Sequence, residues 1–351
     1  MDKLAVELLD HIFSYACTDG GQTGCALALV SKRIRATSRP ARFYSVALFS
    51  SPTKIEKFLH AYERECARAA DARPRVRHLW LSYHENEQGP SAVPTMPAKP
   101  PTSRAEFLAI LQRRTQHWRS AQENLDEQYN RVIPMLIKTV AADLYSLALC
   151  QARWRSSSVV NCAFPRLQEI TLIGGDPSFL PFSSTEDGAI LYPSLRRLHH
   201  ILTPVCKDVN FLNWTTHAPA LTHLRVSRLD YCPHTTLETF EQAIGRVPSS
   251  HRFEHLEYVM VLPHPPPASD LQSGFAAIAY AQFLQHLREM PEHVKVPMTV
   301  LQPLIKRRPH QGTDAPPECI VHLRELWMER IEGGPGCWVD DVVAEPAPTE
   351  T

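Results

Sequence analysis

PRLQEITL, residues 165–172, sets Leu167, Ile170 and Leu172 at steps of three and then two. The last two lie two residues apart across a Thr, the spacing of one face of an extended strand. The same frame recurs in PRVRHLWL (74–81), PSLRRLHH (193–200), PALTHLRV (219–226), HLEYVMV (255–261) and HLRELWM (322–328). Its triplets are Val76, Leu79, Leu81; Leu195, Leu198, His200; Leu221, Leu224, Val226; Leu256, Val259, Val261; and Leu323, Leu326, Met328. Only the triplet ending in His200 is not wholly apolar.

A short strand with these side chains turned inward cannot bury them alone, so neighbouring units must stack into a common sheet. Between successive frames the three short separations fall at or near roughly 20–29 residues. The pattern resembles a leucine-rich repeat in degenerate form. The Asn that such repeats carry eight places after the first Leu is replaced by His84, Gly175, Thr203, Leu229, His264 and Ile331. The resemblance implies an α/β fold: an irregular leucine-rich-repeat-like solenoid of short parallel strands with helices and loops, over 73–332.

Two long separations hold insertions. The first covers 87–152, with a Pro-rich polar loop over 87–103 and then Leu125, Tyr129, Val132, Leu136, Val140, Leu144 and Leu147 at helical steps, with a kink expected at Pro134. PHPPPA (263–268) begins the second, and Phe275, Ile278, Phe283 and Leu287 then read as a helix. Residues 333–351 read as a partly ordered acidic tail.

Upstream of the repeats, Leu8, Leu9, Ile12, Phe13 and Ala16 form the stripe of an amphipathic helix stopped by Asp19-Gly20-Gly21. A second helix is expected from an N-cap at Thr23, with Ala26, Leu27, Val30 and Ile34 on one side, ending before Pro40. Phe43, Tyr44, Val46 and Leu48 suit an extended arm, and 51–72 reads as a linker helix. Lys32, Arg33 and Arg35 then lie on the outer, solvated side of the second helix.

Leu4, Glu7, Leu8, Leu9, Ile12 and Phe13, then Leu27, Leu29, Val30, Ser31 and Lys32, then Pro40, Phe43 and Val46, give an order that resembles the fungal type of F-box over 1–50. Ala5 stands where that family usually has Pro. The resemblance implies a substrate receptor of a cullin-RING ubiquitin ligase, with no bond made or broken by this chain and no cofactor. An N-terminal helical domain would bind a Skp-type adaptor, and through it the cullin scaffold, by Leu4, Leu8, Ile12, Phe13, Leu29, Val30, Pro40 and Phe43. The repeat domain would hold a protein target. A different reading is an F-box-derived interaction scaffold without ligase assembly.

Composition agrees with a protein-binding role. The 37 Lys plus Arg against 37 Asp plus Glu leave no net charge, which opposes a nucleic-acid binder. Nine Cys, odd in number and without a C-x-x-C, oppose a disulfide framework or zinc ribbon and fit an intracellular protein, cytoplasmic or nuclear. No run approaches the roughly 18 apolar residues of a membrane span. Thirty Pro against 13 Gly predict many short elements.

His251, Glu254 and His255 match the inverted zincin pattern H-x-x-E-H, a third reading as a zinc hydrolase. That chemistry needs a helix, because only there do residues four apart share a face. Here His255 runs straight into a repeat frame, so no metal site is expected. DGGQTG (19–24) lacks the Lys-Ser/Thr of a phosphate loop and reads as an interhelical turn. His199-His200 and Cys232-Pro-His234 are isolated pairs with no assigned role.

Overall fold

A computed structural model describes residues 4–49, 51–68, 73–82, 103–150, 160, 162–177, 190–203, 209–230, 234–266, 274–303 and 317–338. Within them lie three short helices, α1 (Val6–Ala16), α2 (Gln22–Val30) and α3 (Lys32–Thr37). One parallel sheet follows, made of β1 (Ser45–Phe49), β2 (His78–Ser82), β3 (Ser146–Cys150), β4 (Glu169–Ile173), β5 (Arg197–Ile201), β6 (His223–Leu229), β7 (Tyr258–Pro263) and β8 (Met298–Val300). Its eight strands stand in chain order without a swap. Helices α4 (Pro52–Ala67), α5 (Arg104–Val140), α6 (Phe211–His217), α7 (His234–Ala243) and α8 (Phe275–His293) occupy the crossovers, and α9 (Pro317–Ile331) follows the last strand.

The period-two alternation becomes two ladders across the sheet. Val46, Leu79, Leu147, Ile170, Leu198, Leu224 and Val259 stand in register in one; Leu48, Leu81, Leu149, Leu172, His200, Val226 and Val261 form the next. Both point into the main core, which α4 to α8 close from the other side. Strand entry is equally regular. The Tyr44 carbonyl accepts from the N–H groups of both Arg77 and His78, Arg77 does the same for Tyr145 and Ser146, and Tyr145, Gln168, Arg196 and Thr222 repeat it to β7. One carbonyl thus serves two donors at every step, so each strand start is fixed by the strand before it.

Several expectations need correction. The arm at 43–48 is the first strand of the sheet, because Phe43, Val46 and Leu48 obey the three-then-two frame. Leu144 and Leu147 are not part of the long helix: α5 ends at Val140, and Leu144, Leu147 and Leu149 form another unit of the frame inside the expected insertion. Steps of four and three between Val140, Leu144 and Leu147 fit a helix as well as a strand entry; only Leu149 separates them. HLRELWM is helix, within α9. Its step of three suits either structure, but Ile320, Leu323, Trp327 and Ile331 make a stripe with helical spacing, and Pro317 sits at the first helical position, where its fixed φ costs nothing.

The expected second helix is two. Ser31 adopts extended backbone, and its hydroxyl accepts from Ile34 N at 3.1 Å, capping α3. At the other end Asp19, not Thr23, caps α2, its carboxylate accepting from the N–H groups of Gly21 and Thr23 and from the Thr23 hydroxyl. Gly20 and Gly21 both have φ in the left-handed region, at 78° and 103°, which explains the Gly pair. The loop at 87–102 and the tail beyond Trp338 lie outside the described residues.

Candidate adaptor and target surfaces

The N-terminal helices pack on a small core of their own: Leu9, Phe13, Ile34 and Ala41, with Leu27 against them. On α1 two stripes four residues apart divide the apolar residues. Leu9 and Phe13 face inward; Leu8 and Ile12 face outward, with Tyr15 one turn further on. Ile12 is 47% exposed, whereas Phe13 is 2% exposed. The break at Ser31 leaves the end of α2 uncovered, and Leu29 is 86% exposed beside an exposed Val30. Leu4 is also exposed, its carbonyl accepting from Arg33.

Of the eight residues named for adaptor docking, Leu4, Leu8, Ile12, Leu29 and Val30 therefore stand on the surface. Phe13 is packing, and Pro40 is half-buried. Phe43 lies edge-on to Phe58 and Tyr62 of α4, at 6.0 and 5.3 Å between ring centres, so it joins the helical unit to the main core. Val6 and Tyr15, exposed apolar residues of α1, were not named. The stripe of Leu8, Leu9, Ile12, Phe13 and Ala16 left both out; dividing the helix into faces puts Tyr15 on that of Leu8, seven places on.

Lys32, Arg33 and Arg35 stand exposed, as expected of a solvated face, but the guanidinium of Arg35 is also one of four that converge on a single acid. Arg35 reaches the buried carboxylate of Glu65 on α4 at 3.4 Å, and Arg39, Arg42 and Arg68 reach it at 3.3, 3.1 and 3.3 Å. Burial pushes the Glu65 carboxyl up, but the Arg42, Arg35 and Arg39 guanidiniums outweigh it and hold it below the usual carboxylate range. Four cations thus clamp one anion at the junction of the helical unit and α4.

No family model, curated protein or solved structure matches this chain.

The second face of the sheet is the candidate target surface. Its central row carries Ala47, Trp80, Ala148, Thr171, His199, Arg225 and Met260, and the row at the strand starts carries His78, Ser146, Glu169, Arg197, His223 and Tyr258. Two Ser–His pairs span strands here: His78 Nδ1 with Ser146 Oγ, and His199 Nε2 with Ser227 Oγ, each at 2.8 Å. Burial, then the Arg77 charge, pulls His78 down to about 4, and burial, then Arg225, holds His199 well below the usual range. Rings so hard to protonate make poor general bases near neutral pH. His199 Nδ1 meets Cys337 Sγ at 3.5 Å rather than an orienting carboxylate. Burial pushes that thiol up to about 12, so it stays protonated.

Neighbouring residues of a strand point to opposite faces, so His199 and His200 cannot share a ligand. His200 lies in the main core, edge-on to Phe211 and Trp214, with Nε2 3.3 Å from Asp176 Oδ1 and no well-formed hydrogen bond from either ring nitrogen. Every register partner in its row is Leu or Val. His200→Leu should therefore raise stability by about 1 kcal/mol, removing an unsatisfied buried polar group. Urea unfolding at fixed slope measures this, and a lower midpoint would show that the Asp176 contact outweighs the loss.

His251, Glu254 and His255 are exposed and lie in a bend and a turn leading into β7. Without a helix they do not share a face, and the H-x-x-E-H pattern does not assemble. Among the described residues no group of three or more His, Cys, Asp or Glu is arranged to hold a metal ion. Nor is any helix among them long and apolar enough to cross a membrane.

Proposed function

We propose that the chain is a substrate receptor of a cullin-RING ubiquitin ligase: its N-terminal helices dock a Skp-type adaptor, and its parallel sheet, read as a leucine-rich-repeat-like solenoid, presents a protein target. The observation that carries this reading is the exposure of Leu4, Leu8, Ile12, Leu29 and Val30 on a unit whose own core is complete without them. Apolar side chains displayed in numbers on a small helical unit mark a protein interface. The order of the residues around them resembles the F-box. Ala5, the departure from that family, has φ −63°, the value Pro would fix, so its backbone already takes the conformation the family's Pro imposes.

In this role the chain acts by proximity, raising the effective concentration of target lysines near a charged E2 enzyme. Calorimetry with a purified Skp-type adaptor tests it. Wild type is expected to bind one-to-one, and Ile12→Asp to weaken binding at least ~100-fold, or about 2.7 kcal/mol. Because Ile12 is half-exposed, the same change should leave thermal unfolding nearly unmoved. Failure of well-folded wild type to bind would leave the scaffold reading in its place.

A further inference from the structure

The face proposed to receive a target is occupied by the chain itself. On it α9 lays Ile320, Leu323, Trp327 and Met328, making with Trp80, Ala148, Cys150, Ile173 and Ile201 a second cluster separated from the main core by the sheet. Trp80 and Trp327 meet edge-on at 5.8 Å. Beyond α9 a 3-10 turn, Gly336–Trp338, brings the Trp338 Nε1–H to Glu169 at 3.0 Å, beside the Arg330–Glu169 ion pair, also 3.0 Å. Arg225 donates to the Cys337 carbonyl, and Arg324 donates to the Asp19 carbonyl at 3.5 Å.

Two features bear on how firmly this contact is held. The sheet already buries one complete face against α4 to α8, so it does not need α9 to have a core. The closed contact is also poorly matched in polar groups: Trp80 Nε1, Trp327 Nε1 and Arg324 Nε are buried donors with no acceptor among the described residues. Each such donor is stripped of water without gaining a partner, which lowers the free energy that holds α9 in place.

We infer that Pro317–Trp338 is a releasable self-ligand: α9 leaves the second face while the sheet stays folded, and that face then binds an amphipathic helix of another protein with an aromatic anchor. Carbonyl or carboxylate acceptors on the incoming helix would satisfy Trp80 Nε1, which α9 does not, and a basic group would replace Arg330 on Glu169. Mass action then couples the two states, since target and α9 compete for one surface. The identity of the competitor as a target rests on the receptor reading; the release of α9 does not.

Cys150 reports on release, because it lies buried under α9 and is in no disulfide. The full chain is treated with N-ethylmaleimide over a series of low urea concentrations, and alkylation of Cys150 is followed by site-resolved mass spectrometry. The expected rate has a urea dependence well below that of global unfolding and rises at least tenfold in Trp327→Ala. In that variant, excess synthetic 317–338 peptide, with Ser at both Cys positions, should slow it again. Cys150 reacting only with the urea dependence of global unfolding, or no protection by the peptide, overturns the inference. Adaptor binding is absent from this assay. Protection without adaptor binding would therefore remove the receptor reading and keep the self-ligand, and adaptor binding without opening would do the reverse.

Discussion

Glu65→Ala is expected to lower the folding free energy by about 3 kcal/mol, the lower end of the cost of stripping one partner from a buried ion pair. The magnitude follows from where the four arginines sit. Arg35 and Arg68 are about half-exposed and would return to water, whereas Arg42 is 8% exposed and would be left charged and buried. Glu65→Gln keeps the shape and two acceptor lone pairs, so it should cost distinctly less. The loss would not be uniform: proteolysis should cut first near α3, because Arg35, Arg39 and Arg42 tie that unit to α4. A cost below about 1 kcal/mol for the Ala variant would mean that the clamp is no stronger than a surface pair.

Acid tests the same clamp with a definite sign. The folded carboxyl is held below its unfolded value of about 4.3, so its contribution is complete above that value. It should fade as pH falls through the lower folded value. Wild type and Glu65→Gln should therefore differ by a constant amount from neutral pH down to about 5, and the gap should narrow as pH falls below the unfolded value toward the lower folded one. Parallel urea titrations at these pH values would show it, and a gap that persisted unchanged at pH 3 would assign the clamp to shape rather than charge.

How much of this was legible in the sequence differs by element. The frame in PRLQEITL and its neighbours located β2 and β4 to β7, because a Leu two places after another cannot share a helix face with it. HLRELWM shows the limit of that logic. Seven residues fit both periods, and what placed them in α9 was Ile320 and Ile331 outside the window. β8, with three residues and partly exposed side chains, carries too little apolar signal to announce itself. The outward face of α1 was legible as residues but not as a division, since Leu8 and Leu9 are adjacent and equally apolar. Least legible was Glu65. Its partners lie about 30 positions away in Arg35 and nearby in Arg68, and no local pattern marks an acid that only tertiary packing brings under four guanidiniums.

Trp214→Ala is the other change expected to be severe, at about 3–5 kcal/mol. Trp214 is fully buried on α6 and stacks on Tyr192 at 5.3 Å, which in turn stacks on Phe164 at 5.4 Å. Its edge meets His200, whose ring reaches Phe211, and Phe211 meets Phe240 of α7. A line of rings therefore crosses the crossovers from β4 to α7, and Trp214 stands in its middle. Its Nε1–H also donates to Asp176 Oδ1 at 2.8 Å, fixing the turn that follows β4 through Gly174 and Gly175, both in left-handed backbone. Trp214→Phe would keep a ring in the stack and lose that hydrogen bond, so about 1–2 kcal/mol is expected of it, within the cost of leaving an acceptor unpaired. Urea unfolding of the three proteins separates the terms: the step from wild type to Phe reads the Asp176 bond, and the step from Phe to Ala reads the stack. A Phe variant as unstable as the Ala variant would place the weight on Asp176. The turn after β4, rather than the line of rings, would then be what holds neighbouring units of the sheet together.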